Sequence, residues 1–374
     1  MKRWHLLAAC AVLLPLPAAA QEAVEAVEIG ATYITDVLSV VDGGARRGTM
    51  LLGRADVTIE VKGEAVGLPG VEFFVDVLAV QKSGFSDRFV GDGQVVSNVE
   101  ADSAVRPIEA WLAVPFGGGV TAKAGLIDLN TEFDVQSVGA MFLNSSHGIG
   151  PDFSQSGVNG PSIFPAAASA AMLRLERDGW KARLGAFDGI AGSRANPRRA
   201  ALRVPGTTGA LIVGEVDRTL GRAKLQLGAW RYTARFDSVD ATRSGKRPSH
   251  GAYALAEATL LARGESKLDF WFRVGAASAD ANPIGLYLGG GVAWGHDRAR
   301  LGLAIAHARL GEPALRGTSS DRAETAIELT YSHRLAPGVI VQPDLQYVIN
   351  PGWEPTRRDA LVAGVRFRFA WPRD

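Results

Sequence analysis

Cysteine is almost absent from this chain of 374 residues, in which Cys10 is the only one. Disulfide frameworks and thiolate metal sites need several cysteines, so the sequence excludes both. An excess of one charge is also absent, because 40 Lys and Arg side chains are balanced by 39 Asp and Glu. Since nucleic-acid binding requires a clustered basic excess, we expect no nucleic-acid partner.

Long apolar runs are missing from the chain after its N-terminal segment. No stretch there reaches the roughly 18 residues that a transmembrane helix needs. The N-terminus itself has two basic residues, an apolar run at Leu6–Leu16, and alanines at 18–20. This order is typical of a secretory signal peptide with a small-residue cleavage site. We expect residues 1–20 to be removed, which leaves a mature chain from Gln21 with 38 basic and 39 acidic side chains and no cysteine.

Cys10 has a second interpretation, because Leu7-Ala8-Ala9-Cys10 resembles the lipid-attachment sequence of bacterial lipoproteins. Only about six apolar residues precede Cys10, whereas the apolar core of a signal sequence has ~7–15. Cleavage after Ala20 is therefore the better prediction. Export of a chain without disulfides fits a bacterial envelope protein.

Alternation of apolar and polar residues dominates the mature chain. In Leu51–Lys62, the odd positions are apolar or glycine and the even positions are mostly charged or polar. A period of two places these sets on opposite faces of a β-strand. The same pattern predicts about sixteen strands: Val24–Val40, Leu51–Lys62, Val71–Gln81, Ile108–Val114, Val120–Leu126, Ala171–Glu176, Trp180–Phe187, Ala210–Val216, Ala223–Phe236, Ala252–Leu261, Leu268–Ala276, Leu286–Trp294, Arg300–His307, Ala323–Ser332, Val339–Val348 and Ala360–Phe369.

The connections between the predicted strands alternate in length. Short turns such as Gly117–Gly119 and Ala336–Gly338 are followed by longer segments, which is typical of a membrane barrel with short turns at one rim and long loops at the other. A soluble β-sandwich also has many short strands, but its core faces would be bulky, whereas these apolar faces are rich in Ala and Gly. We predict an all-β fold, a transmembrane up-and-down antiparallel β-barrel of about sixteen strands over residues 21–374.

The positions of the aromatic residues indicate that lipid, rather than water, surrounds the apolar faces of the strands. Five of them fall on the apolar face by parity, beside a short turn or near the C-terminus: Phe116, Trp180, Trp294, Tyr331 and Phe369. Such placement is typical of an aromatic girdle at one membrane interface; the alternative is that these residues merely cap strand ends. A barrel of sixteen strands is wide enough for an aqueous channel, in which inward charges could stay unpaired.

One segment breaks the regularity of the chain. Residues 142–165, FLNSSHGIGPDFSQSGVNGPSIFP, are crowded with Gly, Ser, Asn and Pro. Loops of this length are uncommon and are usually functional or disordered. The segment belongs to Asp128–Ala167, which follows the fifth predicted strand on the long-loop side. As the third such loop does in porins of this size, we expect residues 128–167 to fold into the bore and constrict it.

Three separated motifs resemble a known family. DLNTEFDVQSVGAMFLNSSHGIGPDFSQSGVNGPSIFP at 128–165, GAFDGIAG at Gly185–Gly192 and LAPGVIVQPDLQYVINPG at Leu335–Gly352 closely resemble the carbohydrate-selective porins of the OprB family. The final strand, DALVAGVRFRF, is similar too, so the resemblance covers nearly the whole mature chain. It implies a sixteen-stranded porin of the Gram-negative outer membrane that admits sugars, most often glucose-type monosaccharides, by passive diffusion and without a cofactor.

The C-terminus departs from the pattern that this resemblance implies. Porins of this kind usually end on a Phe that the barrel-assembly machinery reads, whereas Phe369 is followed here by five more residues. Trp371 keeps the outward parity and is expected to stand in for the terminal Phe. The sequence leaves open whether the barrel is a monomer or a homotrimer, because subunit-facing and lipid-facing residues are both apolar.

Candidate site residues come from inward parity and from the long loop. Sugars stack their C–H surfaces on aromatic rings and hydrogen-bond their hydroxyls to charged or amide groups. Trp271 and Arg273 lie ~7 Å apart on one strand face, about the width of a hexose. The expected pore-lining and substrate-binding residues are Trp271, Arg273, Arg174, Arg183, Trp111, Glu109, Glu132, Asp134 and Asp152. The alternative is a porin for other small hydrophilic solutes such as carboxylates, because general porins also have charged bores.

Two further patterns do not predict an enzyme or a metal protein. Asn144–His147 brings Ser and His together, but neighbours in sequence rarely form a triad and no GxSxG elbow is present. Residues 128–134 carry the alternating oxygen ligands of a calcium loop, yet Phe133 stands where the sharp turn needs Gly. We expect no catalysis and no cofactor, and the sequence leaves a calcium ion in this loop open.

Cleavage after Ala20 is a testable outcome, because the small-residue site and the position of Cys10 both favour signal peptidase over lipidation. Sequencing the N-terminus of the exported protein should give Gln21 as its first residue. A mature chain that begins at Cys10, or that carries a lipid there, would contradict the prediction.

Overall fold

The apolar–polar alternation produces sixteen strands in the computed structural model, which describes residues 27–81, 84–192 and 209–372. The predicted signal peptide, residues 1–20, lies outside the described residues. The strands are β1 (Val27–Gly44), β2 (Gly48–Lys62), β3 (Glu72–Gln81), β4 (Ala104–Gly117), β5 (Val120–Ile127), β6 (Ala168–Arg177), β7 (Trp180–Asp188), β8 (Ala210–Leu220), β9 (Ala223–Asp237), β10 (Lys246–Arg263), β11 (Ser266–Ala277), β12 (Ile284–His296), β13 (Ala299–Leu310), β14 (Ala323–Ala336), β15 (Val339–Ile349) and β16 (Arg358–Trp371).

The strands form one closed antiparallel barrel. Each strand pairs with the next along the chain, and β1 closes the circle by pairing with β16. In that last ladder Tyr33 lies opposite Phe369. Closure leaves no unpaired strand edge, as hydrocarbon surroundings require of a β-structure. The predicted fold class, a sixteen-stranded up-and-down barrel, is confirmed.

Two strands begin at least four residues earlier than the alternation predicts. β4 begins at Ala104 rather than Ile108, and β10 begins at Lys246 rather than Ala252. The first residues of β10 are polar on both faces, so they carry no alternation that could mark a strand. The β9–β10 register also shifts beside Pro248, since proline cannot donate a ladder hydrogen bond.

The two rims differ in the length of their connections. At one rim lie the chain ends of β1 and β16 and the short turns, most of which have two residues, such as Gly118–Gly119. At the opposite rim, several connections in the described part of the chain contact the inner wall, and two of them are named. Residues 84–103, between β3 and β4, are named here the short inner loop, and residues 128–167, between β5 and β6, the long inner loop.

Helical structure among the described residues is limited to single turns within the connections. α1 (Pro151–Ser154) lies in the long inner loop and α2 (Glu312–Leu315) lies between β13 and β14. No described helix is long and apolar enough to cross a membrane. The remaining turns are 3₁₀ segments at Gly63–Val66, Leu129–Thr131, Gly139–Met141, Ser145–His147 and Pro351–Trp353, and a π segment at Ser86–Val90.

The outer wall is apolar and carries aromatic residues near the short-turn rim. Leu227 is 66% exposed, whereas its neighbour Gln226, which points inward, is 1% exposed. The predicted girdle residues are all exposed on this wall: Phe116, Trp180, Trp294, Tyr331 and Phe369. Trp371 is exposed as well and pairs with Ala31, so β16 continues past Phe369 with the expected outward parity.

The facing of β14 can be tested by placing Arg on either side of the wall. Leu329 is exposed on the outside, whereas Ser332 lines the bore. Leu329→Arg should destabilise the barrel in a bilayer by about 2–4 kcal/mol, because a charge then faces hydrocarbon. Ser332→Arg should cost much less. Urea unfolding in lipid vesicles measures the difference, and equal stability of the two variants would contradict this assignment.

Candidate functional site

Three glutamates on the inner wall accept hydrogen bonds from the backbone of the long inner loop. The N–H groups of residues 134, 138, 143 and 144 donate to them at 2.6–2.9 Å. The acceptors are Glu215 on β8, Glu257 on β10 and Glu328 on β14. A loop inside a barrel must find partners for its backbone N–H groups, and here carboxylates of the wall supply them.

Arg273 on β11 holds the same loop through charge. Its guanidinium lies 2.7 Å from the Asp134 carboxylate and 2.6 Å from that of Asp152, and all three side chains are completely buried. The rings of Tyr253 and Tyr287 lie 5.1 and 5.4 Å from the guanidinium carbon. Buried charges persist only when they are paired and hydrogen-bonded, so this cluster fixes both ends of the segment 134–152 to the wall.

Aromatic packing completes the attachment of the long inner loop. Phe153 of α1 stacks almost parallel on Trp230 of β9, with ring centroids 4.9 Å apart. His147 packs edge-on against Trp271 of β11 at 5.6 Å. These contacts place an apolar layer between the loop and β9–β11, which excludes water from that side of the bore.

His147 serves as a packing residue. Burial lowers its pKa to about 3, so the ring is neutral at physiological pH. Both ring nitrogens lack a hydrogen-bond partner among the described residues. A catalytic histidine would have to contact a nucleophile, and neither Ser145 nor Ser146 is bonded to this ring.

The short inner loop also enters the bore, a position that the strand pattern did not predict. The N–H groups of Gly93 and Gln94 donate to Glu324 on β14 at 2.8 and 2.9 Å. Further along the loop, the Ser97 hydroxyl donates to Asp36 on β1 at 2.6 Å. The available signal was the same as for the long inner loop, since residues 84–103 are rich in Gly, Asp and Ser and lack alternation.

Between the two inner loops and the wall lies a cavity of about 910 Å³. The wall strands here are β1, β2, β4 and β14–β16. They contribute four arginines, which are Arg54, Arg106, Arg366 and Arg368. Six amide side chains also line the cavity, five from the loops and one from β15: Gln94, Asn98, Asn130, Gln155, Asn159 and Gln342.

The amides are held in place by the protein itself. The side-chain nitrogen of Gln155 donates to the Gly93 carbonyl at 2.7 Å, and that of Asn159 donates to the Ala191 carbonyl at 3.0 Å. Each nitrogen uses one of its two N–H groups on a backbone carbonyl, which fixes the amide and leaves its oxygen to accept a hydrogen bond from a solute and its second N–H to donate one.

The arginines are oriented by carboxylates and by an aromatic ring. Arg54 lies 2.6 Å from Asp56, and Arg366 lies 2.7 Å from Asp36. The Arg54 guanidinium also covers the Phe164 ring at 4.5 Å, and Phe164 lines the cavity. The cavity therefore presents cationic donors on its wall, amide acceptors on its loops and an aromatic surface between them.

None of the nine site residues predicted from the sequence lines this cavity. Asp134, Asp152 and Arg273 form the buried cluster described above, and Trp271 is completely buried against His147. The expectation that Trp271 and Arg273 face a solute does not fit this burial. Parity placed both residues inward as observed, but parity cannot show that a loop covers the inner face.

A second group of predicted residues lies where β4 and β5 face the start of the long inner loop. Lys123 pairs with Glu132 at 2.8 Å and lies 3.7 Å above the Trp111 ring. The Trp111 indole N–H donates to Glu109 at 3.2 Å. Trp111, Lys123 and Glu132 line a crevice of only about 30 Å³, and the Lys123–Glu132 pair holds the start of the loop against β5.

The last two predicted residues, Arg174 and Arg183, are cross-strand neighbours on β6 and β7. Arg183 is buried and pairs with Glu215, the same carboxylate that accepts the Asp134 N–H. Arg174 is partly exposed and lies 3.5 Å from Glu176. Both arginines therefore have a carboxylate beside them rather than the unpaired charge expected of an open bore, and at Arg183 that carboxylate also holds the loop.

A family model matches residues 47–371 and describes a carbohydrate-selective porin of the OprB family. The chain belongs to this family. Among curated proteins, none matches the chain. Membership of the OprB family makes the protein a passive sugar channel of the outer membrane rather than an enzyme.

Solved structures show the same fold as this OprB-family chain. The high-pH structure of Pseudomonas putida OprB has a TM-score of 0.82 at 16% identity, with 94% of this chain and 96% of that chain covered. DcaP of Acinetobacter baumannii has a TM-score of 0.59 at 7% identity, with 92% and 97% covered. A mutant of the Rh. blastica porin has a TM-score of 0.55 at 13% identity, with 92% and 100% covered.

Residues 128–134, whose sequence resembles a calcium-binding loop, use their carboxylates to bond other protein groups. Asp128 accepts the N–H groups of Asn130 at 2.8 Å and Phe164 at 3.1 Å, while burial raises its pKa to about 6. Glu132 and Asp134 are paired with Lys and Arg as described. Within residues 27–81, 84–192 and 209–372, no group of three potential metal ligands occurs.

The structural role of Arg273 can be tested by Arg273→Met, which leaves two buried carboxylates without a counter-charge. Removing one partner of a buried ion pair costs about 3–5 kcal/mol. We expect a lower unfolding temperature, protease cleavage within residues 128–167 and noisier single-channel currents.

Two further variants make this test specific. Adding Asp134→Asn and Asp152→Asn to Arg273→Met should restore part of the stability, because the unpaired charges are then removed. Arg300→Met breaks a pair with Asp269 that is partly exposed and should leave the loop protected. If Arg273→Met and Arg300→Met behave alike, Arg273 does not hold the loop.

Proposed function

We propose that the barrel conducts neutral, glucose-type monosaccharides into the periplasm by passive diffusion. The observation that carries the proposal is the cavity of about 910 Å³ between the inner loops, lined by four arginines and six amides. A hexose carries hydroxyls that both donate and accept hydrogen bonds. Guanidinium groups supply donors and amide oxygens supply acceptors, so the lining matches a polyhydroxylated solute better than an apolar one.

Phe164 takes the place proposed from the sequence for Trp271. Its ring lines the cavity and is covered on one side by Arg54 at 4.5 Å. An aromatic ring beside a guanidinium combines a surface for sugar C–H groups with a donor for hydroxyls. Such contacts must stay weak, because a channel that held its solute tightly would not pass it.

The long inner loop, residues 128–167, is proposed as the constriction. Its attachment to β8–β14 through glutamates and Arg273 fills that side of the bore. Solutes then pass along the opposite side of the bore. There the short inner loop and the arginine-bearing strands β2, β4 and β16 form the wall. A loop anchored at so many points keeps the width of the passage constant.

Small carboxylates are the second candidate solutes. Four arginines in one cavity lining favour anions over cations. Acidic side chains offset part of this positive charge, because Glu100, Asp102 and Asp128 line the same cavity. In addition, Arg54 and Arg366 are paired with aspartates. We therefore rank neutral sugars first.

Assembly steps complete the proposal. After cleavage behind Ala20, the barrel-assembly machinery would insert the barrel into outer-membrane lipid with Trp371 in the place of the usual terminal Phe. A homotrimer stays a prediction from the sequence. Cross-linking in native membranes would measure the number of subunits.

Planar-bilayer recordings test the solute. Glucose added to either side should reduce the single-channel current, and gluconate should do so no more strongly. Arg54→Gln with Phe164→Leu should weaken the glucose block by about two- to tenfold, the range expected for one lost hydrogen bond.

The control is Arg300→Gln, because Arg300 does not line the cavity, and its glucose block should stay at the wild-type level. Block by gluconate alone would support the carboxylate channel instead. Wild-type block in the Arg54→Gln/Phe164→Leu variant would place sugar contacts elsewhere in the bore.

A further inference from the structure

An apolar groove of about 550 Å³ lies on the outer wall across β5–β9, on the half of the barrel nearer the short turns. Its lining includes the small residues Gly214, Ala182 and Ala229, between the exposed side chains of Leu184 and Leu227. A Cβ added at Gly214 would meet no atom closer than 3.9 Å. The groove is therefore a depression in the outer wall, with larger apolar side chains on both sides of it.

The strand register places a basic rim directly below the groove. Gly214, Val216 and Arg218 occupy successive outward positions of β8, so Arg218 lies ~13 Å from Gly214 along the strand. Trp180 is the cross-strand partner of Arg218, and Arg177 is the partner of Trp180 on β6. Two arginines thus flank an exposed tryptophan at the end of the apolar groove.

The rim residues are positioned for an anionic group at the membrane surface. The Arg218 guanidinium lies 4.8 Å from the Trp180 ring centroid and donates to the backbone carbonyl of Asp178. Arg177 is 77% exposed and lies 3.3 Å from the Asp178 carboxylate. Arg222, in the adjacent turn, is exposed and forms no ion pair among the described residues. Three cations against one carboxylate leave this rim positive.

We propose that this groove and rim bind an anionic phospholipid of the leaflet that faces the short turns. One acyl chain lies in the groove over Gly214, and the phosphate lies between Arg177 and Arg218, beside Trp180 at the headgroup level. A second copy of the chain is a poorer occupant, because its outer wall is largely apolar and a phosphate is the better partner for the cations of this rim. The proposal goes beyond sugar conduction and does not depend on it.

Native mass spectrometry of the detergent-purified barrel tests the proposal with phosphatidylglycerol and phosphatidylcholine of identical acyl chains. The wild-type protein should retain phosphatidylglycerol preferentially. Each arginine removed in Arg177→Gln and Arg218→Gln should weaken that retention by about fivefold and leave phosphatidylcholine unchanged. Gly214→Leu fills the groove without changing charge, so it should weaken retention of both lipids.

Matched controls lie elsewhere on the same barrel. Arg298→Gln removes an exposed arginine from another short turn, and Ala363→Leu enlarges an outward side chain on β16. Both should retain lipid as the wild type does. Equal retention of the two lipids by the wild type, or unchanged retention in the three groove and rim variants, would overturn the proposal. A change of subunit number in Gly214→Leu would show a chain–chain interface and would overturn it as well.

Discussion

Buried carboxylates that accept backbone N–H groups determine the shape of this bore. A loop that leaves the rim and enters a barrel takes its peptide groups away from bulk water, and each of them needs a new partner. Glu215, Glu257, Glu324 and Glu328 meet that need from the strand side. Arg273 adds the counter-charge for two loop aspartates. Without these groups the backbone N–H groups of the loops would lose their hydrogen bonds to water with no replacement, which would destabilise the loops inside the bore.

The same constraint explains why the cavity of about 910 Å³ lies to one side of the barrel. The anchoring glutamates and Arg273 all lie on β8–β14, so the long inner loop and its aromatic packing fill that half. On the opposite wall, Arg54 pairs with Asp56 of the same strand, and Arg366 pairs with Asp36 of the adjacent strand. Open volume remains in front of both arginines. The inner wall is thus divided: β8–β14 carry most of the anchors of the long inner loop, whereas the arginines of β2, β4 and β16 face the open cavity.

Sequence alone predicts the barrel well and the site poorly, for a physical reason. Strand alternation is local, so about sixteen strands and the outward aromatics follow from parity. Loop docking depends on partners far along the chain, such as Gln94 and Glu324, which are 230 positions apart. Trp271 was correctly placed inward, but a covering loop made it a packing residue. Phe164 belongs to the long inner loop, which carries no alternation, so only its position beside Arg54 identifies it.

The separation in sequence between the loops and their anchors also sets an order of assembly. The short inner loop lies near the start of the chain, whereas its anchor Glu324 lies on β14. Closing such a long segment has an entropic cost that contacts within a hairpin avoid. The anchor reaches its final place only when the last strands have joined the sheet. The contacts of both inner loops with β14 therefore form only after most of the strands are in place, so the lining of the bore is completed last.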